Sequence, residues 1–179
     1  MKKLVAVLLT FLFILTGCNT VKVTKVEDDN KTDGFKFSSE YKTVAKNNNY
    51  KYAVYENVID LLKNGTGIIF FSYPDCKVCE EVAPILNESA TLKEVKEINY
   101  YNIKDIKSNN TKEYKELLQL LDNNLKEENG VKDLSVPSVI FVKDGNIKYL
   151  YEYDKTTSND DIDDIFNKYI DEIYSKEEC

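Results

Sequence analysis

The sequence predicts an α/β sandwich built around a mixed sheet, and three observations predict it. From about Tyr50 onward, short β-patterned runs alternate with stretches of helical periodicity. The run "GIIFFSY", residues 67–73, reads as a central strand buried on both faces. Two further strand-like runs joined by Asp144-Gly145 make a hairpin signal before a last amphipathic helix. No internal repeat and no second domain is visible in the pattern.

The elements follow in chain order. The opening "MKKLVAVLLTFLFILTGC" has a positive start at Lys2 and Lys3, then an apolar run over residues 4–15 that only Thr10 interrupts. That length suits a signal-peptide core better than a membrane span. Leu15-Thr16-Gly17-Cys18 resembles the lipobox of bacterial lipoproteins. The resemblance implies that residues 1–17 are removed and that Cys18 carries a lipid and becomes the N-terminus. Residues 18–38 are then expected to be a polar tether and residues 39–179 the folded domain.

"YKYAVY" at residues 50–55 reads as a short strand, and "ENVIDLLKNG" as a helix stopped by Gly65. After the central strand, "VCEEVAPILNESATLKEV" places Val82, Ile85, Leu86 and Ser89 on one helical face, with Pro84 as an interior kink. "EINYYNIKDI" is the next expected strand. Residues 111–128 are expected to form one long amphipathic helix ending near Gly130. Beyond the hairpin, Ile162, Ile165, Phe166, Tyr169, Ile170 and Ile173 recur at helical spacing. Ser158 or Asn159 caps that helix, and the following aspartates suit its positive end.

Composition excludes several functions. There are 31 acidic residues against 24 basic ones and no histidine. An acidic chain without a basic excess is not expected to bind nucleic acid. Missing histidine excludes Ser-His and Cys-His catalysis and any His-ligated metal site. Two of the four cysteines stand in Cys76-Lys77-Val78-Cys79, directly after the central strand. Such a pair is a redox couple, half of a metal site, or a structural staple. Metal is disfavoured because two thiolates need partners that the chain lacks. A staple across two residues closes little loop entropy. Redox chemistry gains from the expected position, because a sulfur at a helix N-terminus faces free N–H groups that favour the nucleophilic thiolate. Lys77 favours the thiolate and Asp75 opposes it. Cys179, in "SKEEC", is expected to be a spectator thiol, with an intermolecular disulfide as the alternative.

Taken together, Cys76-Lys77-Val78-Cys79, then Ala83-Pro84-Ile85-Leu86, then Val136-Pro137-Ser138 before "VIFVKDGNI", resemble thioredoxin over roughly residues 50–174. Exported thioredoxin-like lipoproteins and bacteriocin-transport accessory proteins are similar in the same way. The resemblance implies a thioredoxin-like sandwich, a central mixed β-sheet flanked by helices, with an extra helix inserted before the cis-proline strand. It implies that Cys76 is the nucleophile, Cys79 the resolving thiol and Pro137 a cis-proline beside them. Val136, Pro137, Tyr73 and Pro74 would contact the substrate. No cofactor beyond the Cys76–Cys79 disulfide is implied, and no metal. The expected partners are exported proteins with cysteines or disulfides, a membrane thiol redox partner, and the membrane itself through Cys18, at the extracytoplasmic face of a bacterial cell membrane. The expected activity is that of a protein thiol–disulfide oxidoreductase, reductant or isomerase-like rather than oxidant. The alternative is a binding or assembly accessory with little redox turnover. Three departures from thioredoxin bear on this. Phe70 stands where that family carries a buried aspartate, Asp75 replaces a tryptophan, and the stretch from Cys76 to Pro137 is longer.

Overall fold

The computed structural model describes residues 29–175. The expected signal peptide, Cys18 and Cys179 lie outside the described residues. In chain order the elements are α1 (Asp29–Glu40), β1 (Tyr50–Tyr52), α2 (Tyr55–Asn64), β2 (Gly67–Ser72), α3 (Lys77–Leu92), β3 (Ile98–Asn102), α4 (Lys104–Ser108), α5 (Lys112–Leu121), β4 (Glu127–Glu128), β5 (Val131–Lys132), β6 (Ser138–Lys143), β7 (Asn146–Glu152) and α6 (Asn159–Tyr174). Five strands form one mixed sheet in the order β1-β3-β2-β6-β7, and β4 and β5 pair separately. β1, β3 and β2 run parallel, while β6 and β7 are antiparallel to their neighbours.

The central position of β2 follows from its sequence. Every residue of β2 is buried, so both faces of the strand must be covered. Side chains alternate between the faces. Ile68 and Phe70 therefore enter one core with Phe37 of α1, Leu86 of α3 and Phe166 of α6. Ile69 and Phe71 enter the other with Val58 and Leu62 of α2 and Leu117 and Leu121 of α5. Each such burial contributes about 1.5–3 kcal/mol, and this is what fixes the three layers.

The β6–β7 hairpin is a two-residue turn in which Asp144 and Gly145 both have positive φ, 50° and 71°. This is the conformation that Asp-Gly favours in tight hairpins. Glycine is required there for space as well, since a Cβ on Gly145 would lie 2.1 Å from the Lys63 carbonyl oxygen. The Gly145 N–H instead donates to the Gly65 carbonyl at 2.8 Å. Ser158 caps α6, and its side chain accepts from the Asp161 N–H.

Several expectations need correction. Helix α1 takes in residues 29–38 of the stretch expected to be tether, and its Phe37 is fully buried, so the folded unit starts before residue 39. Phe37 stacks on Tyr41 and Tyr50 at 4.2 and 3.8 Å between centroids. A polar, charged surrounding sequence masked that one inward aromatic. The first strand stops at Tyr52, and Tyr55 already belongs to α2. β3 ends at Asn102, whose side chain accepts from the Lys104 N–H and starts α4. The helix expected over residues 111–128 stops at Leu121. The remainder turns into the β4–β5 hairpin, with Asn129 and Gly130 at φ 54° and 79°. Gly65 does end α2, in an extended conformation.

Candidate active site

Strand register brings the interesting loops together. Phe71 pairs with Ser138, and Ser72 pairs with Asn102. Beyond Ser72 the chain runs through Tyr73, Pro74 and Asp75 to Cys76. Pro137 and Val136 immediately precede Ser138. The cysteine loop, the Val136-Pro137 loop and the start of α4 therefore meet at one end of the sheet. The Val136–Pro137 peptide bond is cis. Ile103 N–H donates to the Ser72 carbonyl, and Tyr153 N–H to the Pro137 carbonyl, so the neighbouring strands tie both loops down.

Asp75, in the left-handed region at φ 69°, turns the chain from β2 into α3. Cys76 is then the N-cap of α3, and its Sγ accepts the Cys79 N–H at 3.2 Å. One of the orphan amides of the helix start is thus directed at sulfur. Cys76 and Cys79 are joined as a disulfide, with their Cα atoms 5.2 Å apart. The two sulfurs are unequal in access: Cys76 is 9% exposed and Cys79 is fully buried. Asp75 and Lys77 are both exposed beside the pair. Tyr73 and Pro74 are half-buried, and the Lys104 ammonium lies 5.7 Å from the Tyr73 ring centroid.

Pro84 lies inside α3. Lacking an N–H, it leaves the Glu80 carbonyl without its helical donor. Thr43 Oγ1 donates to that carbonyl at 2.6 Å, and Tyr50 Oη donates to the Ala83 carbonyl at 2.8 Å. The segment after α1 therefore braces the helix that carries the cysteines. Phe70, behind the pair, is fully buried in the same core as both cysteines. The buried polar groups of that region are hydroxyls. Tyr41 Oη and Ser72 Oγ are 2.6 Å apart, and Tyr41 Oη donates to Tyr100 Oη at 3.3 Å. Burial pushes the Tyr41 hydroxyl up to about 12 against the pull of those hydrogen bonds, so it stays neutral.

The other half of the site is the segment 133–137. Among the described residues the backbone N–H and C=O of Val136 make no hydrogen bond. An unpaired backbone donor and acceptor side by side form an edge on which an extended chain can pair. Next to it lies a cavity of about 510 Å³, lined in part by Lys126, Ser135, Glu152, Tyr153 and Lys155. Val136 and Pro137, expected from the sequence to contact substrate, lie in this segment, and Ser135 and Glu152 beside them are not among the expected residues. The signal was present: strand alternation puts Glu152 on the inward face that Leu150 occupies. An inward carboxylate needs a reason. The chain matches no family model and no curated protein.

Proposed function

We propose that this chain is a thioredoxin-like thiol–disulfide oxidoreductase that acts on protein disulfides through Cys76 and Cys79. The observation that carries the reading is a pair of cysteines at a helix N-terminus, Cys76 with 9% of its surface exposed and Cys79 fully enclosed, beside an unpaired backbone edge. In the reduced protein the Cys76 thiolate attacks one sulfur of a substrate disulfide. That S–S bond breaks, a Cys76 mixed disulfide forms, and the first substrate sulfur leaves as a thiolate. Cys79 then loses its proton and attacks Cys76 Sγ. The Cys76–Cys79 bond forms and the second substrate sulfur leaves. The substrate gains two electrons and the pair loses two, so a thiol donor at the membrane must reduce the pair again. Val136 orients the substrate strand, with Pro137, Tyr73 and Pro74 around it, while Asp75 and Lys77 tune the Cys76 thiolate. Cys18 anchors the protein by lipid at the extracytoplasmic face, and the working direction is reduction or isomerisation rather than oxidation.

Insulin reduction by dithiothreitol tests this. The wild type is expected to accelerate it, and Cys76→Ser to abolish the acceleration. A second reading, a binding or assembly accessory for export with little turnover, is favoured by Phe70, which places no ionisable group directly behind the pair. A wild type no faster than Cys76→Ser would establish that second reading in place of the first.

A further inference from the structure

We propose that the cavity beside Val136 is the subsite for the polypeptide segment flanking the substrate's reactive cysteine, and that Glu152 is the positioning residue that holds it. This rests on the oxidoreductase reading and deepens it by giving the flanking segment of the polypeptide substrate its own place to bind. Glu152 is 9% exposed, on the face of β7 that packs into the core through Leu150. A carboxylate is costly to bury unless its oxygens are hydrogen-bonded. Here each oxygen has a separate task. Oε1 accepts from Ser135 Oγ at 3.2 Å, and Oε2 accepts from the Lys126 N–H at 3.3 Å. Ser135 immediately precedes Val136, and Lys126 leads into the β4–β5 hairpin. One carboxylate therefore sets the spacing between the loop that offers a backbone edge and the start of the hairpin that walls the cavity.

The loop is held from its other side as well. Lys107 Nζ reaches Asp133 Oδ2 at 2.7 Å and also donates to the Leu134 carbonyl. Ser138 Oγ donates to the Ser135 carbonyl at 2.6 Å. The Leu134, Ser135 and Pro137 carbonyls are engaged, while the backbone N–H and C=O of Val136 both stay without a hydrogen bond among the described residues. A strand pairing there and continuing past Ser135 runs into the cavity. The lining carries both signs of charge, Lys126 and Lys155 against Glu128 and Asp154. Such a lining suits a chain recognised by its backbone more than a ligand of one charge.

The test compares polypeptide and small substrates. Steady-state kinetics use insulin as the polypeptide disulfide and hydroxyethyl disulfide as the small one, with dithiothreitol regenerating the reduced pair, for wild type, Glu152→Gln and Ser135→Ala. Glutamine keeps one acceptor but sets an N–H₂ against a backbone N–H. Serine 135 is exposed, so its alanine variant folds even if Glu152→Gln does not. The expected result is a rise of about tenfold in KM for the polypeptide with kcat retained, and a much smaller change for the small disulfide. Equal losses on both substrates overturn the proposal. Anisotropy of fluorescein-labelled, S-carboxymethylated insulin B chain on the Cys76→Ser/Cys79→Ser protein reads the subsite without turnover. A weaker Kd in the Ser135→Ala background supports the subsite even if the wild type reduces nothing, and an unchanged Kd overturns it.

Discussion

At the scale of single residues, the unequal burial of the two cysteines is what the proposed split of roles rests on. Cys76 keeps 9% of its surface exposed and receives an amide from the helix start, whereas Cys79 is fully buried. The less enclosed sulfur is the one a substrate would reach first, and thiolate access governs exchange. In a Cys179→Ser background, Cys79→Ser is expected to accumulate mixed disulfides with other proteins, and Cys76→Ser to trap almost none. Non-reducing electrophoresis after acid quenching measures this. The opposite pattern would reverse the assignment. Glycine 145 and Asp75 show the same dependence on position. Both sit at positive φ, but only the Asp144-Gly145 pair announces it, because Asp-Gly between two apolar runs is a known turn signal and an isolated Asp is not.

At the scale of elements, α1 belongs to the domain and supports the cysteine helix from a distance. Its Phe37 fills the space between Tyr41 and Tyr50, and Tyr50 in turn donates to α3. Phe37→Ala should cost about 3–5 kcal/mol, the range for truncating a fully enclosed phenylalanine. Urea unfolding followed by circular dichroism measures it, and a loss below about 1 kcal/mol would return α1 to the tether. The end of α5 shows how a helix can be overextended on paper. Leu125 continues the apolar spacing of Leu117 and Leu121 and is buried, yet the chain has already left the helix. The Asn129-Gly130 pair was the competing signal, and a two-residue turn with positive φ at both positions outweighed helical propensity among charged residues.

At the scale of the whole molecule, the expected anchor is the remaining test. Cys18→Ala is expected to release the protein from the membrane fraction and to end labelling by a radioactive fatty acid. Unchanged retention and labelling would remove Cys18 as the anchor. The sequence by itself determined the layered α/β architecture, the central strand, the last hairpin and the placing of Cys76 at a helix start. Those are local properties: periodicity, turn chemistry and capping act over a few neighbouring residues. Only the tertiary structure decided that α1 is part of the core and that Glu152 joins Lys126 to Ser135. Each of these depends on groups far apart in the chain. A lone inward Phe or Glu looks like a surface residue until the fold supplies what it packs against or bonds to, because the cost of burying it is offset only by partners that no local window contains.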